Sequence, residues 1–182
     1  MKEPKGFIGL TRFGPVAAEI EEHLRCELAR RFGLPIRRLG EELAPVGWNP
    51  ERQQYLGEAM LAELHHAAPP DAVRVLALTE VDLYAPEMEF IFGQAEVGGR
   101  TAIVSLHRLH PEASGEAPNR ILFLRRALVE CVHELGHTFG LVHCPFASCV
   151  MHFSEGLEET DRKGPGFCHE HARQLRAALA QV

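Results

Sequence analysis

Residues 133 to 143 run His-Glu-Leu-Gly-His-Thr-Phe-Gly-Leu-Val-His, the pattern HExxHxxGxxH, and each fixed position in it has a chemical use. His133 and His137 are four apart, so on a helix they share one face with Cβ atoms about 5–6 Å apart. Two imidazole nitrogens at that spacing can reach one zinc ion, with Zn–N near ~2.0–2.1 Å. Glu134 points to a neighbouring face, where it can reach water at the ion without ligating the ion itself. Gly140 permits a positive φ and ends the helix, and the turn lets His143 approach the same ion from another side. Three protein ligands leave a fourth position open for water, as in a catalytic zinc site and not a closed structural one. HExxH alone is short and recurs by chance in amphipathic helices. The glycine and the third histidine at fixed spacing set this stretch apart.

The motif resembles that of the metzincin metallopeptidases, whose signature adds a methionine-containing turn. Met151 follows His143 by eight residues, and in such a turn it would form a hydrophobic floor under the metal without ligating it. A second constellation narrows the resemblance: HC-x4-C-x-M-x16-C-x-x-H, formed by His143, Cys144, Cys149, Met151, Cys168 and His171. This run is similar to that of the archaemetzincins, in which the zinc motif continues into four cysteines that bind a second zinc. The likeness is detailed over residues 133 to 171. The family's last pair is CxxC, whereas this chain has Cys168-His169-Glu170-His171. The resemblance thus implies two zinc ions per chain, the second on Cys144, Cys149, Cys168 and His171, an ordinary Cys3His set. His169 is a rival ligand, less well spaced to chelate beside Cys168. Buried free thiols are the plainer alternative for the three cysteines.

Composition agrees with a reducing, soluble setting. Five cysteines is an odd number, and three cluster with histidine at metal-like spacing, which favours zinc over a disulfide framework. Cys26 and Cys131 are expected to pack as small apolar side chains. The 182 residues suffice for one domain, 1–182, with its zinc-binding C-terminal part at about 144–171. Hydrophobic content of 46% and charged content of 24% are those of a globular protein. Net charge is −6 without a basic run, so nucleic acid is not the expected partner. No stretch reaches about 18 consecutive apolar residues, so no membrane span is expected. Met1-Lys2-Glu3-Pro4-Lys5 lacks the apolar core of a signal peptide, so a protein without an inhibitory pro-segment and with a cytoplasmic location is expected.

The elements that must carry these residues follow from periodicity. Gly6 to Leu10 reads as a first strand. A helix from Pro15 to about Phe32 puts Ile20, Leu24, Leu28 and Phe32 on one face. Leu34 to Leu39 is a second strand. Asn49 reads as an N-cap with Pro50 at the first helical position, opening a helix that carries Tyr55, Leu56, Met60, Leu61 and Leu64. Asp71 to Thr79 is a buried central strand. Met88 to Val97 and Thr101 to Leu106 flank Gly98-Gly99 as a hairpin. After a loop over 107 to 117, Pro118 and Asn119 start the motif helix, with Ile121, Leu122, Leu124, Leu128, Val129 and Val132 as its apolar face. A last helix runs from Phe167 towards Val182, with Leu175, Ala178 and Leu179 as its apolar stripe. The resemblance implies an α+β, zincin-like single domain: a twisted mixed β-sheet with an antiparallel edge strand, Met88 to Val97, then the active-site helix and a C-terminal helix. It also implies that a peptide substrate pairs with that edge.

The function expected is a zinc metallopeptidase acting on peptides or proteins, with Glu134 as general base and, by the resemblance, an aminopeptidase-like preference. A metal-dependent nuclease and a zinc-bearing peptide-binding module are the alternatives. Glu134 and the cysteine cluster favour the peptidase, because three-histidine rRNA-maturation metalloproteins lack that glutamate. His152, just after the methionine, is a candidate polar helper for the oxyanion. Glu80, Asp82, Glu87 and Glu89 form an acidic stretch that either attracts a substrate amine or is a solvated face.

Overall fold

The computed structural model describes residues 6–182, and the Met1–Lys5 stretch discussed above lies outside them. The chain forms β1 (Phe7–Phe13), α1 (Ala18–Phe32), β2 (Ile36–Leu43), β3 (Trp48–Asn49), β4 (Gln54–Leu56), α2 (Gly57–Ala67), β5 (Ala72–Thr79), β6 (Leu83–Tyr84), β7 (Gly93–Ala95) and β8 (Thr101–Ser105). Helices α3 (Arg120–Thr138), α4 (Leu157–Arg162) and α5 (His169–Leu179) follow. The main sheet has the order β2-β1-β5-β8-β7. Its first four strands are parallel, and β7 closes one edge antiparallel to β8, with Gln94 opposite Ile103. This is the mixed sheet with an antiparallel edge that the resemblance implied.

Strand alternation splits the core in two. Leu76 and Leu78 of β5 pack with Leu24 and Leu28 of α1 and with Val129, Val132 and Leu135 of α3 on one face. Val75 and Ala77 pack with Met60 and Leu64 of α2 on the other. Successive side chains of a strand point to opposite faces, so a strand covered on both sides reads as a continuous apolar run. Each fully buried valine, leucine or methionine among these contributes about 1.5–3 kcal/mol. Helix α3 therefore lies across the sheet, with every residue from Arg126 to Thr138 buried. Asn119 caps it, its Oδ1 accepting from Leu122 N at 3.0 Å.

Several expectations are corrected. No helix starts at Asn49: its Oδ1 accepts from the backbone N–H groups of Glu51 and Arg52 at 3.0 and 3.2 Å, closing a turn between β3 and β4. Gln53 then takes φ 54, which stops a helix, and α2 begins only at Gly57. Tyr55 and Leu56 thus belong to a small second sheet, β3-β4-β6. The edge strand spans Gly93–Ala95 alone. Before it, Met88 and Glu89 carbonyls accept from Arg52 Nη2 at 2.8 and 2.9 Å, and Ile91 N donates to Leu83 O at 2.9 Å. The backbone of Met88–Ile91 is thus drawn to the small sheet and away from β8. Ile121 is 83% exposed, in the first turn of α3 beside buried Phe123. Cys131 is buried, but Cys26 is exposed, on the side of α1 away from Leu24 and Leu28. Among the described residues no helix is long and apolar enough to cross a membrane.

Candidate active site

Helix spacing brings His133 Nε2 and His137 Nε2 to 3.1 Å from each other. Each ring is oriented from behind. His133 Nδ1 is 2.8 Å from Val150 O, and His137 Nδ1 is 2.8 Å from Leu141 O. A carbonyl can only accept, so both Nδ1 atoms carry the proton and both Nε2 atoms keep a free lone pair. Gly140, at φ 85, ends the helix turn and swings His143 round. One ligand nitrogen from each of the three histidines then lies within 4.8 Å of the others. That separation, with bare nitrogens facing one another, fits a single ion about 2.0–2.1 Å from each. Burial pushes all three histidines towards the neutral form that ligates, well below the usual range for His133, where Lys163 adds to the effect.

Glu134 is 6% exposed and lines the same cleft. Burial, with Glu130 nearby, raises its carboxyl well above the ordinary range. It fits only because β7 offers no side chain there: a Cβ on Gly93 would lie 2.6 Å from Glu134 Cγ. Met151 is fully buried against the helix, and a Cβ on Gly136 would lie 2.5 Å from its Sδ. The methionine thus packs against the turn of α3 between Glu134 and His137.

The cleft has a volume of about 250 Å³. Met88, Phe90, Phe92 and Phe153 supply apolar wall, and Glu130, Glu134 and Glu155 are its acidic residues. No lysine or arginine among the described residues lines it. The Phe153 ring is 5.0 Å from that of His143. His152 is not part of the lining: its Nδ1 bonds Cys144 O at 2.8 Å. The acidic stretch is not brought here either. Asp82 takes two hydrogen bonds from Arg108, Glu80 pairs with His110, and Glu87 and Glu89 are exposed.

A second cluster lies at the other end of the loop. Ligand atoms of Cys144, Cys149, Cys168 and His171 lie within 4.8 Å of one another. Cys168 Sγ is 3.2 Å from His171 Nδ1 and 3.9 Å from Cys144 Sγ, and Cys149 Sγ is 3.7 Å from His171 Nδ1. Three soft thiols and one imidazole, mostly buried, suit a closed tetrahedral zinc. The backbone N–H of His171 draws the Cys168 thiol down to about 7, while burial pushes Cys149 up to about 11. His169 is exposed and outside the cluster.

The sequence model of peptidase family M54 matches residues 16–177. The chain belongs to peptidase family M54. Members of this family are zinc metallopeptidases, and this chain is one of them. Among relatives, an archaemetzincin of Thermococcus kodakarensis is 44% identical over 145 residues, covering 79% of this chain and 78% of the relative. One of Pyrococcus abyssi is 37% identical over 97% of both chains. Among solved structures, archaemetzincin from Methanopyrus kandleri superposes with a TM-score of 0.85 at 36% identity, over 97% of each chain. That from Archaeoglobus fulgidus, complexed with malonate, gives 0.79 at 33% identity, over 92% of this chain and 98% of that one.

Sequence reasoning missed Gly93, Gly136, Glu130, Thr160 and Lys163. A glycine inside an expected strand is a sign of close backbone approach, and that sign was present at Gly93. Lys163 is the only lysine beyond Lys5, in a stretch where every other Lys or Arg position is arginine.

Proposed function

We propose that His133, His137 and His143 hold the reaction's zinc and that Glu134 is the general base of peptide hydrolysis. The observation that carries this reading is the convergence of three imidazole nitrogens, those of His133 and His137 bare, beside a buried carboxyl group in one cleft. When bound, zinc supplies Lewis acidity that polarises a carbonyl and acidifies water. Glu134 takes the proton from the attacking water and returns one to the departing amine. Burial raises its proton affinity, which suits a group that must first accept and then donate. Val150 and Leu141 carbonyls keep the His133 and His137 rings in the ligating tautomer throughout. Cys144, Cys149, Cys168 and His171 hold a second, structural zinc, and their free thiols suit a reducing compartment, the cytoplasm.

The substrate is a short peptide lying extended along β7. Three residues of edge strand can pair with only a short length of chain, and no lysine or arginine among the described residues lines the cleft to meet a phosphodiester backbone. We read the activity as aminopeptidase-like. The test is cleavage of a peptide mixture read by mass spectrometry, with free and acetylated N-termini and with Glu134→Gln beside wild type. Cleavage of free N-termini by wild type alone is expected. Equal cleavage by Glu134→Gln overturns the mechanism, and equal cleavage of acetylated peptides overturns the end preference.

A further inference from the structure

Against the buried face of α3 lies a charge pair that the hydrolysis itself does not use. Lys163 is 0% exposed and Glu130 is 3% exposed. Lys163 Nζ lies 3.3 Å from Glu130 Oε1 and donates to His152 O at 3.0 Å. Thr160 Oγ1 donates to the same Glu130 oxygen at 2.9 Å. The segment that carries Thr160 and Lys163 is fixed to α3 from outside. Arg126 makes two hydrogen bonds to the Asp161 carboxylate, at 2.8 and 2.7 Å, and Arg125 Nη2 donates to Asp161 O at 2.7 Å.

Stability does not account for this arrangement. Removing an ammonium from water is costly, and a buried ion pair is commonly no more stable than an apolar pair of the same shape. The ammonium also stands only 3.5 Å from His133 Nδ1. That nitrogen donates its proton to Val150 O, so it offers the lysine no acceptor. Glu130 and His152 O hold Lys163 in a place that the His133 ring itself disfavours.

What the place gains is control of one turn. Val150 O orients the His133 ring, and two residues on, His152 O is the carbonyl that Lys163 grips. The same His152 bonds Cys144 O through its ring. A continuous path of polar contacts therefore runs from Glu130 through Lys163 and His152 to Cys144 of the thiol cluster. We propose that Lys163 and Glu130 are positioning residues for His133: they fix the Val150–His152 turn that orients its ring, and they tie that orientation to the cysteine-rich centre. The proposal rests on the reading of His133 as a metal ligand.

The test uses full-length protein that keeps its thiolate-bound zinc and has its histidine centre emptied by mild chelation. Zinc affinity is measured by chelator competition, and cobalt(II) is loaded to record its visible spectrum. The double variant Lys163→Met/Glu130→Leu replaces the pair with apolar groups, leaves Thr160 Oγ1 and His152 O without those partners, and is expected to fold with a lowered melting temperature and its thiolate-bound zinc retained. Its zinc affinity at the histidine centre is expected to fall at least about tenfold, the usual effect of losing an outer-shell partner, and its cobalt bands should shift. Glu130→Gln, which keeps the shape, is the companion should the double variant not fold, and a weaker loss with the same spectral change is expected. A folded variant of either kind with wild-type zinc affinity and an unchanged cobalt spectrum overturns the proposal. His133→Ala separates the two ways of failing. If it leaves zinc affinity unchanged, the ligand reading falls and the proposal with it. If it abolishes binding while the pair variants do not, the positioning role alone is wrong.

Discussion

Gly93→Ala probes the fit between the edge strand and Glu134. The added Cβ would lie 2.6 Å from Glu134 Cγ, 2.8 Å from Glu134 Oε1 and 2.7 Å from Ile103 O. Ordinary contact begins near 3.4 Å, so each atom must give way by roughly 0.6–0.8 Å. Ile103 O belongs to β8, whose ladder with β7 pairs Gly93 with Val104 and Gln94 with Ile103. The strand pair resists opening, and the Glu134 side chain is the softer neighbour. Overpacking of this kind costs about 1–3 kcal/mol. In a chain of this length that lowers the melting temperature by roughly 2–12 °C. A reacting group displaced by about 1 Å loses on the order of 10²-fold in rate. Gly93→Ala is therefore expected to keep its full zinc content, remain folded at 25 °C and lose about 10²-fold in kcat. Metal analysis, a thermal melt and turnover of a short peptide measure the three quantities together. Wild-type kcat refutes the reasoning, because Glu134 would then not depend on the space that β7 leaves. Loss of zinc in step with activity refutes it too, since the damage would lie in the histidines.

Glu134→Gln should retain the zinc of the histidine cluster and lose turnover by about 10²–10⁴-fold, because glutamine accepts no proton at neutral pH; metal content and kcat measured on one preparation check this. Mild chelation should remove one zinc quickly, with activity, and a second slowly, with loss of thermal stability, because only the histidine centre has an open coordination position; a preparation that never holds more than one zinc contradicts it. His171→Ala should release the slow ion and lower the melting temperature, His171→Cys should restore both, and His169→Ala should be nearly silent. Release by His169→Ala and not by His171→Ala would pass the ligand role to His169.

The histidine cluster was legible because ligation imposes a period. His133, Glu134 and His137 are fixed by helix spacing, and His143 by the turn that Gly140 allows, so the motif contains its own geometry. The thiol cluster was legible through the family resemblance, and His171 rather than His169 reaches it because α5 begins at His169 and turns only the later histidine inward. Asn49 misled because an N-cap and a side-chain-closed turn use the same bonds from Oδ1 to the next N–H groups. The edge strand was read too long because what ends it lies elsewhere in the chain: Arg52 and Gln54 take the carbonyls of Met88 and Glu89. No local pattern could pair Lys163 with Glu130, since that contact depends on how α4 docks on α3.

The active-site helix is held by close approaches on two sides. Gly93 lets β7 come up to Glu134, and Gly136 lets Met151 come up to the next turn. In both places what fixes the distance is the lack of a side chain, so neither contact can be relaxed by a rotamer change on the glycine. A large core residue such as Leu135 can be exchanged for another of similar volume at a cost below about 1.5 kcal/mol, because its neighbours repack. An added methyl at Gly93 or Gly136 has no such escape. The helix must shift, or the group opposite must leave, and the groups opposite are Glu134 and Met151. Position at this site is therefore set by its smallest residues, while the large apolar ones around it set stability.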